Sequence, residues 1–165
     1  MSFLTSQINF LQRYFPAYIN GAITTIELSI VGVLLGFTLG VLLALMKISK
    51  SKILNIIASI YIEIVRGTPM LVQIMIVYFG LKKVIPEQFT ILTAPMFLCS
   101  LSISLNSAAY IAEIIRSGIS SIDKGQMEAA RSLGLNHKQA MKKVILPQAI
   151  KNILPALVNE FITLI

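Results

Sequence analysis

From about Ile19 to Met46 the chain is mainly apolar, with a single charged residue, Glu27. A helix rises ~1.5 Å per residue, so this run reaches ~42 Å. About 20 apolar residues already cross the ~30 Å hydrocarbon core of a bilayer. A chain that carries such a run is built for a membrane, and further apolar stretches repeat the pattern. A second spans about Pro69 to Ile85 and a third about Ile91 to Ile115. A fourth opens near Asn152 and continues to Ile165; as a helix it rises only ~21 Å and does not cross. The fold class expected is therefore all-α, a polytopic transmembrane helical bundle forming a single domain over residues 1–165. Composition agrees: 56% of residues are hydrophobic and the mean hydropathy is +0.81, against about 45–50% apolar residues in soluble domains.

Within the first span, Gly32, Gly36 and Gly40 recur every fourth residue. That stripe lets another helix approach closely; the spacing does not say which. From Ile53 to Val65, Asn55, Ser59 and Glu63 interrupt an apolar segment at helical intervals. This segment reads either as an amphipathic helix at the membrane surface or as an elbow. Gly67-Thr68-Pro69 then breaks or restarts the helix. Pro86-Glu87-Gln88 reads as a tight turn before the third span.

The formal net charge is +7, from 14 basic and 7 acidic residues. The basic residues sit in the gaps between apolar runs. Those following the first and third spans hold Lys47, Lys50, Lys52, Arg66, Arg116, Lys124, Arg131, Lys138, Lys142, Lys143 and Lys151; the other side holds Arg13, Lys82 and Lys83. Lys and Arg concentrate in cytoplasmic loops, so the amino terminus is expected outside and the 116–151 loop in the cytoplasm. Charge distributed this way, without tryptophan or an RNA-binding aromatic motif, argues against a nucleic-acid partner. Cys99 is the sole cysteine and His137 the sole histidine, which leaves no disulfide and no metal cluster to build. The first basic residue, Arg13, comes too late for a signal-peptide n-region. No GxxxxGK[ST] phosphate loop is present, so the chain is not expected to be an ATP-hydrolysing enzyme.

The 116–151 loop is itself patterned. Asp123 with Gln126, and Asn136 with Gln139, have the spacing of capping boxes. Gly134 suits the left-handed position that ends a helix, and Pro147 is expected to disturb the second helix near Leu146. The loop reads as helix, glycine turn, helix. Met127, Ala130 and Leu133 make a weak apolar stripe. Ala129 and Ala130 would let another surface come near the backbone, and Glu128 and Arg131 would orient it. A capped, solvated loop with no partner fits equally well.

Here the residues resemble a known family. Glu128-Ala129-Ala130, Gly134, Val144, Leu146 and Pro147 look like the signature loop of ABC-transporter permease subunits, with Val144 where isoleucine is more usual. Val65-Arg66-Gly67-Thr68-Pro69 followed by Gln73 resembles permeases of the polar amino-acid uptake family. So does Tyr110-x-Ala112-Glu113-x-x-Arg116-x-Gly118-Ile119 running into Gly125-Gln126. The resemblance implies the fold of a type I ABC importer permease in a bacterial cytoplasmic membrane. It implies a loop that docks on an ATP-binding cassette subunit through Glu128, Ala129, Ala130, Arg131 and Gly134, with ATP and Mg bound by that partner and no cofactor on this chain. It also implies a second permease subunit, identical or related, and an extracytoplasmic substrate-binding protein. Permeases of this kind carry one more span and end in the cytoplasm, so the chain is expected to be truncated within the fourth.

A polar side chain inside hydrocarbon is costly unless it is paired or faces a cavity. Glu27 lies near the outer interface and is expected to be solvated. Glu113 and Arg116, one turn apart, are expected to pair. Glu160 lies deeper in the last segment; with Asn106 and Ser102 of the third span it could line a polar substrate path, or simply bond helix to helix. An ion- or proton-coupled carrier using Glu27 or Glu160, and a non-transporting scaffold, also fit these residues. Neither accounts for the three ordered motifs.

Overall fold

The computed structural model describes residues 2–86 and 88–165, with side chains described from Gln7 onward. The described residues fold into helices and contain no strand. In chain order these are α1 (Ser2–Ile48), α2 (Lys52–Arg66), α3 (Met70–Val84), α4 (Thr90–Thr93), α5 (Pro95–Ser120), α6 (Lys124–Ser132), α7 (His137–Ala140) and α8 (Leu146–Thr163), with a π turn at Met141–Ile145 between the last two. By length and composition α1 and α5 are long and apolar enough to cross a membrane. The α2–α3 pair, bent by 104°, makes a third crossing if taken as one broken span. α8, which carries Lys151, Asn152, Asn159 and Glu160, is not among them.

α1 begins well before Ile19. Hydropathy marks where a helix leaves the hydrocarbon, but a helix needs no apolar residue to continue. α1 passes through Pro16, and its residues 7–24 are exposed. α5, by contrast, starts later than the third apolar run. Pro95 sits at its first turn, where the missing N–H matters least, and Thr90–Thr93 form a separate turn ahead of it. The Phe89 N–H donates to the Pro86 carbonyl at 3.0 Å; Glu87 lies outside the described residues.

α1 packs chiefly on α5, which settles the partner of the glycine stripe. A Cβ at Gly36 would lie 2.8 Å from Ser107 Cβ and 3.1 Å from the Ser104 carbonyl oxygen. At Gly40 it would lie 2.8 Å from Ile111 and 3.0 Å from the Ala108 carbonyl oxygen. α5 answers with small residues: Ser104, Ser107, Ala108, Ala109 and Ala112 are buried. Between chains of methylenes the hydrophobic effect has little to act on, and close van der Waals packing of small residues takes over. Two of the α5 serines complete their hydrogen bonds locally, Ser102 to the Leu98 carbonyl at 2.9 Å and Ser104 to the Ser100 carbonyl at 2.7 Å. A core of Ala44, Ile62, Ala109 and Ala112 joins α1, α2 and α5.

α8 returns along α5. Ile153 covers Gly118, Asn152 Nδ2 donates to Ser121 Oγ at 2.9 Å, and at the far end Ser29 Oγ donates to the Leu164 carbonyl at 2.9 Å. α3 has no buried residue and presents Leu71, Met75, Ile76 and Phe79 outward, as a lipid-facing helix does.

Candidate functional site

Two features stand out, a cleft among the spans and the hairpin of short helices after α5. The cleft follows from the break between α2 and α3. Gly67 closes α2 by donating its N–H to the Glu63 carbonyl at 2.9 Å, and Pro69 opens α3 with extended backbone. The chain turns sharply there and leaves a space of about 420 Å³ bordered by Arg66, Thr68, Asn106, Tyr110, Glu160 and Thr163, among others. Glu160 comes from α8 and accepts a hydrogen bond from Ser107 Oγ at 3.3 Å. Asn106, 5% exposed, donates its Nδ2 to Gln73 Oε1 at 3.0 Å. The structure therefore brings Glu160 and Asn106 to one cleft.

Ser102 is not with them. One turn separates it from Asn106 on α5, yet it borders a second, more apolar hollow with Tyr61, Val72, Gln73 and Ile76. Its hydroxyl is committed to Leu98. The expectation that Ser102 and Asn106 share a pocket is corrected: Gln73 of α3 lies beside both, but only Asn106 borders the cleft with Glu160, and Ser102 borders the other hollow.

Arg66 belongs by sequence to a basic gap expected in the cytoplasm, and it borders the cleft. It lies 5.3 Å over the Tyr110 ring, within cation–π range, and 3.9 Å from Glu113 Oε1. Glu113 is held mainly by Arg116, through Nε at 2.9 Å and an Nη at 2.5 Å, so the expected ion pair forms. The sequence did contain a signal for Arg66: an arginine set directly against a Gly-Thr-Pro break between two apolar runs.

In the hairpin, Asp123 caps α6 through the Gly125 N–H at 2.7 Å. The reciprocal half of that box is absent, because Gln126 Oε1 accepts from Gln148 Nε2 at 3.3 Å instead. Asn136 and Gln139 do form a full capping box. Gly134 has φ +87°. The Gly134 N–H reaches the Arg131 carbonyl at 3.0 Å and the Leu135 N–H the Ala130 carbonyl at 3.2 Å, the paired bonds of a Schellman motif. Glu128, Ala129, Arg131 and Gly134 are exposed, whereas Ala130 is buried against its own chain. Leu133 is 85% exposed, so the supposed Met127–Ala130–Leu133 stripe is split between inside and outside. The second helix does not end at Leu146. The π turn carries it into α8, and Pro147 sits in the first turn of that helix.

Known proteins are similar to this chain in sequence and fold. Residues 36–165 match the family described as binding-protein-dependent transport system inner membrane component. The chain is 43% identical over 159 residues to the putative glutamine transport system permease protein GlnP of Rickettsia prowazekii, covering 94% of this chain and 71% of that protein. It is 46% identical over 149 residues to the arginine transport system permease protein ArtQ of Bacillus subtilis, covering 90% of this chain and 66% of that protein. A crystal structure of an amino acid ABC transporter with histidines superposes with a TM-score of 0.83 at 47% identity, over 93% of this chain and 69% of that one.

Proposed function

The chain belongs to the family of binding-protein-dependent transport system inner membrane components, and we propose that it is the membrane-spanning permease subunit of an ATP-driven importer of polar amino acids. The observation that carries the substrate class is the cleft, which Glu160 (a carboxylate), Asn106 (an amide) and Arg66 (a guanidinium) border together. Such a set matches a molecule with an ammonium group and a carboxylate of its own. Ionisable groups within a membrane protein's helix bundle commonly mark pathways. The names of the relatives, glutamine and arginine transport permeases, point to the same class.

ATP and Mg belong to a separate ATP-binding cassette subunit, docked on the exposed hairpin through Glu128, Ala129, Arg131 and the Gly134 turn. Ala130 supports that surface from within. A second permease subunit, identical or related, completes the path, and a substrate-binding protein delivers cargo from outside. The hairpin lies in the cytoplasm, the amino terminus on the opposite face. Alternating access moves the spans about the cleft.

Glu160→Gln should lower uptake of a cationic amino acid about tenfold, as expected for a lost hydrogen bond to charge. Assembly should persist, because glutamine still offers Ser107 an acceptor. Transport by purified complexes in vesicles measures it, and unchanged uptake with normal assembly would remove Glu160 from the path. Topology has its own check. With Cys99 replaced by serine, a cysteine at the exposed Leu133 position should react with a membrane-impermeant maleimide only after cells are permeabilised. Labelling of intact cells would invert the orientation.

A further inference from the structure

One side chain holds the α2–α3 break and touches the cleft only through another. Gln73 Nε2 donates to the Val65 carbonyl at 2.7 Å, the Thr68 carbonyl at 3.0 Å and Thr68 Oγ1 at 2.7 Å. Its Oε1 accepts from Asn106 Nδ2 at 3.0 Å. Backbone carbonyls accept and never donate, so the Gln73 amide cannot be turned over. Its NH₂ must face the break and its oxygen must face α5. Asn106 must then give its own NH₂ to that oxygen, and its Oδ1 is left as an acceptor. Among the described residues no buried side-chain oxygen or nitrogen lacks a partner. Among those residues none donates to the Asn106 oxygen, so it is accessible, and the space Asn106 borders is the cleft. The next residue, Ser107, donates to Glu160 and leaves the carboxylate an acceptor as well.

We propose that Gln73 is a positioning residue for ligand selection. Acting through Asn106, it turns the α5–α8 side of the cleft into a wall of acceptors that takes the α-ammonium of an amino acid, with Arg66 left for the carboxylate. This rests on the amino-acid reading above. Without Gln73 the Asn106 amide is free to present NH₂ or oxygen to the cleft, and a ligand that lacks the ammonium is no longer refused.

The test is uptake competition in the full-length, assembled transporter. Radiolabelled L-glutamine and L-arginine are each competed by the unlabelled parent or by its desamino analogue, which lacks only the α-ammonium. The wild type should prefer the parent about tenfold or more, the scale of one charge-assisted hydrogen bond. Gln73→Leu should erase most of that preference, and so should Asn106→Leu. Added to Asn106→Leu, Gln73→Leu should change nothing further, since a residue acting through Asn106 has no route left. The proposal is overturned if Gln73→Leu keeps the preference, or alters it equally in the Asn106→Leu background, which would mean that it acts by reshaping the break. If Gln73→Leu does not assemble, Asn106→Leu decides alone, because it leaves the bonds of Gln73 to the break in place; a preference retained there overturns the proposal. A wild type that carries neither probe overturns the amino-acid reading first, and the role of Gln73 with it.

Discussion

Gly36→Ala should cost about 1–3 kcal/mol, the range for overpacking a closed interior, and Gly36→Leu should leave little folded protein in the membrane. The added Cβ meets the Ser104 carbonyl oxygen at 3.1 Å and the Ala108 nitrogen at 3.3 Å. These are backbone atoms of a neighbouring helix and cannot rotate away, so α1 and α5 must part along the interface that organises the bundle. Gly21→Ala is the control. A Cβ there has nothing within 4 Å, and alanine in a helix is favoured over glycine by roughly 0.5–1 kcal/mol. Thermal unfolding of the purified protein in detergent should therefore show the two substitutions moving the midpoint in opposite directions. Equal midpoints would mean that the stripe does not hold α1 to α5.

Gly134→Val is expected to reduce ATP-driven uptake about tenfold while the chain still inserts. No neighbour would obstruct a side chain at 134, so the effect is one of backbone alone. At φ +87° an L residue is strained, by about 1–2 kcal/mol, and a β-branched one by more. A strain of ~1.4 kcal/mol shifts the closed-turn population tenfold. Relief comes from opening the Schellman bonds, which swings α6 away from α7 and would spoil the surface proposed to dock the ATPase. Gly134→Asn should be much milder, because asparagine tolerates the left-handed region. The checks are ATP hydrolysis and uptake measured on the same vesicles. Uptake by the valine variant equal to that of the asparagine variant would mean the turn does not transmit.

These two glycines show what the sequence disclosed and what it withheld. The fourfold spacing of Gly32, Gly36 and Gly40 announced a close contact, yet only the fold names α5, since periodicity selects a face and not its neighbour. Gly134 was legible outright, because a helix stop followed by a cap leaves few conformations. Local chemistry also predicted the Asn136–Gln139 box. It failed for Asp123 and Gln126, where Gln148, far along the chain, takes the side chain the box required. Ser102 and Asn106 share a helix face by spacing, but they border different spaces, and only that of Asn106 also holds Glu160. Arg66 reads in the sequence only as a charge in a gap between apolar runs; the fold also sets it on the cleft, beside Tyr110 and Glu113. The π turn left no trace in periodicity.

That π turn has a mechanical consequence. Because the helix widens its hydrogen bonding ahead of Pro147 rather than stopping, the backbone from His137 to Thr163 is helical without interruption. Its exposed tip abuts Gly134, and about 21 Å beyond Leu146 the same helix carries Glu160. Anything that tugs the tip displaces a carboxylate in the interior directly, with slack only where the wide turn and Pro155 weaken the ladder. Motor and cargo would then be joined by a lever rather than by a relay of side chains.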